Sequence, residues 1–263
     1  MTLHTIASGS EGNCLLVSCG DTHILVDAGI STRRITTALA ALGLRMADVD
    51  GILLTHAHHD HVAALNTLCK HHETPLFASA GTAAQVCEKC GMAQYRMHIV
   101  RPGEAFALGG ITVTPFPTAH DAWGSMDYRL DTASGSIGVL TDTGYVTDEA
   151  FDVLMGVDLL VLESNHDIEW LRSGPYPYYL KERILGAYGH LSNDDAARFA
   201  AEMAQRGTKE IVLAHLSREN NTPARALDTV QRALDAAGCA ARLSAAPRCE
   251  LCRYEVEVSP CRK

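Results

Sequence analysis

Short apolar, β-branched runs alternate along the chain with amphipathic stretches of helical period. The apolar runs predict strands at residues 3–6, 15–18, 23–26, 51–54, 76–78, 111–116, 136–140, 159–162 and 210–213. Helix-type spacing predicts helices that begin near residues 31, 61, 80, 147, 181, 193 and 223. Strands are dense early and helices occur in both halves. The pattern therefore predicts an α/β fold, with two sheets and helices outside them, in one domain spanning residues 1–263.

One polar segment combines metal-binding side chains in an ordered spacing. Residues 55–61, THAHHDH, follow the apolar run 51–54 directly and supply His56, His58, Asp60 and His61. Imidazole and carboxylate suit zinc, manganese or iron, and one ion needs only three or four protein ligands. This many donors in one loop favours two divalent ions side by side. The alternative is a solvated, histidine-rich loop without a metal.

Three further candidate ligands each follow an apolar run of their own. They are His120, Asp142 and His215. Any one of them alone would more often be a hydrogen-bonding or capping residue. The active sites of α/β sheets gather at the carboxyl ends of strands, so four such ends with metal-binding chemistry predict a shared dinuclear site.

The charge of the chain limits its partners only weakly. With 22 Lys and Arg against 31 Asp and Glu, the net charge is −9, which argues against broad electrostatic attraction to nucleic acid. Two bound cations would offset four negative charges locally, so the net charge does not exclude a polyanionic substrate. No apolar stretch reaches bilayer length and the N-terminus lacks signal-peptide features. We expect a cytoplasmic protein with no membrane association and no required protein partner.

The nine cysteines are an odd number, which disfavours a complete disulfide framework. Two C-x-x-C pairs occur, Cys87/Cys90 in a predicted helix and Cys249/Cys252 at the start of a predicted strand over 251–258. A structural zinc would require all four thiolates to meet in space. Separate buried or surface thiols are the favoured interpretation.

The ligand pattern resembles the metallo-β-lactamase superfamily, whose fold is a four-layer αββα sandwich. The resemblance rests on the H-x-H-x-D-H loop with His120, Asp142 and His215, and it extends from residue 8 to about 223. Five segments are similar to the YycJ/WalJ branch, whose members are described as 5′→3′ exodeoxyribonucleases on duplex DNA: residues 8–14 (SGSEGNC), 26–31 (VDAGIS), 162–167 (LESNHD), 189–193 (GHLSN) and 214–223 (AHLSRENNTP).

The resemblance implies a role for each candidate ligand. One ion would take His56, His58 and His120; the other would take Asp60, His61 and His215; and Asp142 would bridge both. Asp60 would then also belong to the catalytic residues. A hydroxide held between two such ions serves as the nucleophile at neutral pH. Asp27 would support the metal loop without binding metal; the alternative is an Asp that only shapes a turn. His59 is expected to point away.

Other residues could act on the substrate. His190, just before a predicted helix, could donate to phosphate or protonate a leaving oxygen; a buried His in a capping loop is the alternative. Arg218 and Asn220 could contact phosphate or sugar, and their segment is equally suited to a turn and helix start. The tyrosines of residues 176–179 could stack on bases. Packing of that loop against the site is favoured for them.

The predicted function is a two-metal phosphodiesterase, most consistent with a 5′→3′ exodeoxyribonuclease acting on double-stranded DNA. The alternative enzyme is a small-molecule hydrolase, a thioesterase or a cyclic-phosphodiester hydrolase of the same superfamily. A non-enzymatic, degenerate copy is disfavoured because all seven candidate ligands are present. Asp142 and His215 are 73 positions apart, too few for an inserted β-CASP domain, and no basic arm of the transfer-RNA processing type is visible.

Overall fold

The computed structural model describes residues 1–256. Residues 257–263, with the end of the predicted strand 251–258, lie outside the described part. Within residues 1–256 the chain forms fourteen strands: β1 Thr2–Ala7, β2 Cys14–Cys19, β3 Thr22–Val26, β4 Gly51–Leu53, β5 Leu76–Ala78, β6 Met97–Ile99, β7 Phe106–Leu108, β8 Ile111–Pro117, β9 Met126–Thr132, β10 Gly135–Leu140, β11 Leu159–Glu163, β12 Glu210–Ala214, β13 Arg242–Ala245 and β14 Cys252–Glu255.

The strands form two sheets of seven with matching organisation. The first sheet has the order β14-β1-β2-β3-β4-β5-β6 and the second the order β13-β12-β11-β10-β9-β8-β7. In the first sheet, β14 to β3 pair antiparallel and β3 to β6 pair parallel. In the second, β7 to β10 pair antiparallel and β10 to β13 pair parallel. Each sheet therefore contains a parallel half, whose strand ends can carry functional loops.

Nine α-helices surround the sheets in the described chain. They are α1 Thr32–Ala41, α2 His59–Val62, α3 Leu65–His71, α4 Ala80–Lys89, α5 Asp148–Leu154, α6 Ile168–Ser173, α7 Tyr178–Leu185, α8 Asn193–Gln205 and α9 Pro223–Ala236. Side-chain hydroxyls cap five of them, because Ser31, Ser79, Thr147, Ser192 and Thr222 each accept a hydrogen bond from an amide in the first turn. The helix predicted from residue 181 begins at Tyr178, and the one predicted from residue 61 begins at His59.

Three apolar clusters define four layers. One cluster joins the first sheet to α1, α3 and α4 and includes Ile35 and Leu68. The second lies between the sheets and includes Val17 and Leu130. The third joins the second sheet to α5, α8 and α9 and includes Phe199. Helices therefore cover the outer face of each sheet while the inner faces pack on each other, which confirms the predicted αββα sandwich.

The structure has four strands that the sequence pattern did not predict, β6, β7, β9 and β13, and it adds the helices α3 and α6. All eight described cysteines are free, and in the described chain no group of side chains able to hold a metal includes a cysteine. In the described chain the thiols of the two C-x-x-C pairs are thus not gathered into one four-thiolate group. Residues 1–256 contain no helix with both the length and the apolar character needed to cross a bilayer.

Candidate metal centre

Four strand ends carry the candidate ligands to one place. His56 and the rest of the H-x-H-x-D-H loop follow β4 of the first sheet, and the helix α2 begins inside that loop. His120 follows β8, Asp142 follows β10 and His215 follows β12, all in the second sheet. The centre therefore lies where the two sheets meet at their loop-bearing edge, and both sheets contribute to it.

One ligand cluster consists of His56, His58 and His120, whose donor atoms all lie within 4.8 Å of one another. Nδ1 of His58 lies 3.0 Å from Nε2 of His56 and 3.2 Å from Nε2 of His120. Three ring nitrogens that converge at such distances form a cradle for one cation. These are the three residues that the sequence analysis grouped around the first ion.

A second cluster consists of Asp60, His61 and His215, again with donor atoms within 4.8 Å. Oδ2 of Asp60 lies 3.6 Å from Nε2 of His61 and 3.7 Å from Nε2 of His215. Asp142 lies between the clusters, 3.2 Å from Nε2 of His61 through Oδ2 and 3.7 Å from Nε2 of His120 through Oδ1. This carboxylate is placed to reach cations in both clusters.

Hydrogen bonds on the far side of the rings aim the free nitrogens at the centre. Nδ1 lies 3.0 Å from the Thr55 hydroxyl in His56, 3.1 Å from the Gly189 carbonyl in His120, and 2.7 Å from Asp27 in His61. Each of these rings therefore presents Nε2 inward, the arrangement that outer partners impose on metal-binding histidines. Nε2 of His215 and Oδ2 of Asp142 are buried without a hydrogen-bond partner among the described residues. The donor set thus fits divalent cations that prefer nitrogen and oxygen.

Three residues of the centre adopt a left-handed backbone conformation. Asp27 has φ 62°, Asp142 φ 50° and His215 φ 53°, and these are the only non-glycine residues of the described chain with positive φ. Each directly follows a strand or comes two residues after one. Such a conformation costs about 1–3 kcal/mol and persists only where surrounding contacts enforce it. The fold therefore accepts local strain at the positions that turn these side chains toward the centre.

A repeated contact holds the residue before a candidate ligand in each sheet. In the first sheet, the amide and hydroxyl of Thr55 donate to the Asp27 carboxylate, both at 2.9 Å. In the second sheet, the amide and hydroxyl of Thr141 donate to Oδ2 of Asp127 at 2.7 and 3.2 Å. Thr55 precedes His56 and Thr141 precedes Asp142. Both buried carboxyl groups thus fix the start of a loop that carries candidate ligands, and sequence reasoning identified only Asp27.

Asp127 should matter through this anchoring contact. Burial raises the pKa of Asp127 well above its usual value, so Asp127→Asn keeps an uncharged acceptor for Thr141 and should behave nearly as wild type. Asp127→Ala leaves a buried amide and hydroxyl unsatisfied, and should lower the free energy of unfolding by about 2–4 kcal/mol and weaken metal binding about 10–100-fold. Urea unfolding and metal titration of both variants measure this. Equal metal affinity in the two variants would contradict the anchoring role.

Glu163 is a second functional candidate that sequence reasoning did not single out. It is completely buried at the end of β11. Oε1 lies 2.8 Å from Nδ1 of His190 and 2.8 Å from Nδ1 of His215. Oε2 accepts hydrogen bonds from the amides of Thr143 and Leu191. One carboxylate therefore orients both a candidate ligand and His190. Its position at a strand end, within residues 162–167, was the available signal.

Charge coupling accompanies this geometry. Burial alone would raise the pKa of Glu163, but His190 and His215 lower it to about 2. Burial opposes protonation of His190, yet the Glu163 carboxylate outweighs it and raises the pKa of His190. His190 therefore carries a proton more readily than a free histidine does, which suits a proton donor.

A cleft of about 170 Å³ adjoins the centre and is lined by His120 and His190 together with Tyr176 and Arg183. Arg183 donates to Asp121 at 2.6 Å, and Oδ1 of Asp121 lies 3.5 Å from Nε2 of His120. The helix α7 contributes no buried residue. It therefore forms a lightly packed wall over the cleft.

The tyrosines of residues 176–179 differ in their exposure to solvent. Tyr176 is half-buried in the cleft, as the packing interpretation requires. Tyr178 and Tyr179 are 76% and 74% exposed, so that interpretation is wrong for them. Their rings are free to contact a ligand outside the cleft.

The remaining predicted residues separate into inward and outward positions. His59 is exposed and belongs to none of the ligand clusters of the described chain. Arg218 is exposed and pairs with Glu11 at 3.0 Å. The prediction that Asn220 contacts substrate needs correction, because its side chain is fully buried and donates to the Ser217 hydroxyl at 3.4 Å. Its role is to shape the turn after His215.

His166 provides a pH-dependent prediction away from the ligands. It is buried, and neither ring nitrogen has a hydrogen-bond partner in the described chain. Burial lowers its pKa to about 4. The pKa of histidine in the unfolded chain is about 6.5. As the pH drops from about 6.5 to about 4, the unfolded protein therefore binds a proton at His166 that the folded protein does not bind. The free energy of unfolding falls over this range. At about 1.4 kcal/mol per pKa unit, the loss amounts to about 3 kcal/mol.

The variant His166→Gln should remove this contribution while other groups titrate unchanged. Urea unfolding of both proteins between pH 7 and pH 4 should therefore show a stability difference that shifts with pH in favour of the variant. If the free energies of unfolding of the two proteins changed in parallel with pH, a neutral, buried His166 would be excluded as the source of this pH dependence.

Comparisons with known proteins agree with this arrangement. The family model of the β-lactamase superfamily domain matches residues 22–216. The exodeoxyribonuclease YycJ of Bacillus anthracis is 38% identical over 241 residues, 90% of this chain and 91% of the relative. The exodeoxyribonuclease WalJ of Streptococcus pneumoniae serotype 2 is 38% identical over 82% of this chain and 81% of the relative.

A solved structure extends the likeness to the fold. The metallo-β-lactamase fold protein YhfI from Bacillus subtilis superposes with a TM-score of 0.70 at 18% identity, covering 96% of this chain and 99% of that one. At this identity the likeness concerns the fold alone. Taken with the family match and the two relatives, the chain belongs to the metallo-β-lactamase superfamily of hydrolases, in the branch that contains YycJ and WalJ.

Proposed function

We propose that the protein is a metal-dependent 5′→3′ exodeoxyribonuclease that acts on double-stranded DNA through a dinuclear centre. The observation that carries the proposal is the pair of three-ligand clusters joined by Asp142, beside the buried Glu163–His190 pair. The names of the two relatives support the choice of a DNA substrate. The choice of two ions rests on the two clusters.

The metal ligands follow the two clusters. His56, His58 and His120 would hold one divalent ion of zinc, manganese or iron, Asp60, His61 and His215 the other, and Asp142 would contact both. Two ions at such a site supply an activated water at neutral pH and neutralise charge on the transferring phosphoryl group. No cysteine belongs to this ligand set. The choice among zinc, manganese and iron therefore depends on the nitrogen and oxygen ligands and on which metal is available.

The side chains of the cleft account for the remaining steps. Asp27 and Asp127 hold the two ligand loops in place through Thr55 and Thr141. Glu163 holds His190 with Nδ1 bonded, so Nε2 is the atom that can give a proton to the leaving O3′ as the P–O3′ bond breaks. Water adds to phosphorus, which leaves a 3′-hydroxyl on the released nucleotide and a 5′-phosphate on the shortened strand.

Linear duplex DNA with a label at either the 5′ or the 3′ end tests the proposal. The protein loaded with Mn²⁺ or Zn²⁺ should release a labelled mononucleotide at once from the 5′-labelled strand. The 3′-labelled strand should instead shorten progressively and keep its label. The variant Asp142→Asn should do neither. Early release of the 3′ label instead would refute the polarity.

The same preparation separates the proposal from the small-molecule alternative. Intact DNA with every metal, together with metal-dependent hydrolysis of a thioester or a cyclic phosphodiester, would retain the centre and overturn the nuclease assignment. Metal content per chain, measured by elemental analysis, decides between one ion and two.

A further inference from the structure

Exposed aromatic side chains lie beside the metal cleft. The described chain has six exposed tyrosine and tryptophan side chains, at positions 95, 123, 145, 178, 179 and 188. Three of them, Trp123, Tyr179 and Tyr188, are 65%, 74% and 63% exposed, and each belongs to a segment that also lines the cleft. Exposed apolar side chains that cluster on a surface mark an interaction site.

Asp121, which lines the cleft, links these three segments. Its amide donates to the Tyr188 carbonyl at 3.1 Å, and its carboxylate accepts a hydrogen bond from Arg183 at 2.6 Å. Tyr179 lies one turn before Arg183 on the same face of α7. Trp123 follows Asp121 by two residues. Since the Asp121 carboxylate also lies 3.5 Å from a histidine of the first ligand cluster, the three rings lie around the mouth of the cleft on that side, and we call them the aromatic rim.

Hydrogen bonds hold the backbone beneath the aromatic rim. The Ser79 hydroxyl donates to the Gly124 carbonyl at 2.6 Å, which fixes the loop of Trp123 on the first turn of α4. A Cβ at Gly81 would lie 2.7 Å from the Trp123 carbonyl, so this close approach requires glycine. A backbone hydrogen bond of 2.9 Å closes the turn that carries Tyr188. These two rings are therefore presented on an ordered backbone, which lowers the entropy cost of binding a ligand.

The size of the cleft decides which part of a DNA end can meet these rings. The cleft of about 170 Å³ is smaller than the roughly 300–1,000 Å³ of pockets that enclose drug-sized ligands, so a sugar and a phosphate fit and a base pair does not. Because the candidate ligands Asp142 and His215 are buried, the scissile phosphate has to enter the cleft. Its strand then has to separate from the complementary strand, and the unpaired bases lie outside, at the aromatic rim.

We infer that the aromatic rim stacks on the unpaired bases of the DNA strand that enters the cleft. The inference rests on the proposed nuclease function and adds how a duplex end is opened for it. Unpairing and unstacking a terminal base costs free energy, and stacking on an aromatic ring offsets this cost. Every base has a π-face, so the aromatic rim holds the strand without a preference for sequence.

A cycle that combines a change in the protein with a change in the DNA tests this inference. One duplex has ordinary nucleotides at its 5′ ends, and the other has abasic residues at its first few 5′ positions. Trp123→Ala, Tyr179→Ala and Tyr188→Ala should each raise KM for the ordinary duplex about 10-fold, the effect of losing one base–aromatic stack. The value of kcat should stay unchanged, because stacking binds ground state and transition state equally. On the abasic duplex the same variants should keep the wild-type KM, since no base is left to couple with the ring.

Matched substitutions separate stacking from a structural role. Trp123→Phe, Tyr179→Phe and Tyr188→Phe keep a ring and should keep the wild-type KM on both duplexes. Tyr95→Ala removes the exposed tyrosine between α4 and β6, a segment without a candidate ligand in the described chain, and should have no effect. An equal rise in KM on both duplexes, or no rise on either, would overturn base stacking while leaving the nuclease intact. Failure of wild type to cut either duplex would instead overturn the proposed function.

Discussion

Asp142→Asn should reduce metal-dependent hydrolysis by a factor on the order of 10³, because in the proposed centre Asp142 is shared by two ions and its loss removes several kcal/mol of transition-state stabilisation. Asn is the informative substitution. Asp142 has φ 50°, a conformation that Asn tolerates and Ala does not, so the backbone should stay in place while the negative charge is lost. Elemental analysis should show fewer bound ions per chain.

The control for this variant removes the same charge elsewhere. Asp228 lies on α9 with its side chain 67% exposed, and Asp228→Asn should keep both activity and metal content. Full metal-dependent activity in Asp142→Asn, with unchanged metal content, would exclude Asp142 as a shared ligand.

His190→Ala should lower kcat by about 10²–10⁴-fold while leaving the metal content unchanged, since general acid catalysis contributes an effect of that size. His190 contacts Glu163 through Nδ1 and belongs to neither three-ligand cluster, although Asp142, Glu163, His190 and His215 also lie close enough together to hold a metal. A p-nitrophenyl ester of thymidine 5′-phosphate separates the roles, because its leaving group departs without a proton. The variant should recover most of its activity on that ester.

Glu163→Gln should differ from His190→Ala in one measurable way. Glu163 also holds His215, so the amide should lower metal content as well as turnover. The double variant should lose little more than Glu163→Gln alone, because the two residues act as one unit. Metal loss in His190→Ala would reassign His190 as a ligand, and an equal defect on the nitrophenyl ester would exclude it as the proton donor.

The parts of the fold that the sequence predicted are those where local pattern and tertiary environment agree. The interior strands of both sheets are nearly continuous apolar runs because neighbours cover them on both sides. Three of the four missed strands, β6, β7 and β13, are at sheet edges. Edge strands pair on one side only, so their sequences need less apolar character. The fourth, β9, alternates apolar residues with polar ones that bond to residues outside the strand, Asp127 to Thr141 and Arg129 to the Val153 carbonyl.

The same distinction between local pattern and tertiary environment applies to the residues of the candidate site. All seven candidate ligand positions follow from a compact motif or from the end of an apolar run, and the structure brings their side chains together. Glu163 and Asp127 were missed because their importance comes from partners on other strands, which spacing along the chain does not encode. The opposite error at Asn220 has the same origin. A polar residue beside a ligand suggested contact with substrate, whereas the fold turns it inward.

The division of ligands between two sheets has a consequence for how the protein matures. During synthesis the loop of residues 55–61 emerges early, while His215 emerges only after about four-fifths of the chain. A cation that meets the nascent chain can therefore find His56 and His58 before Asp142 and His215 exist. Tight capture must await closure of the sandwich, so the ion that is finally retained is selected by the folded protein and not by the first ligands it encounters.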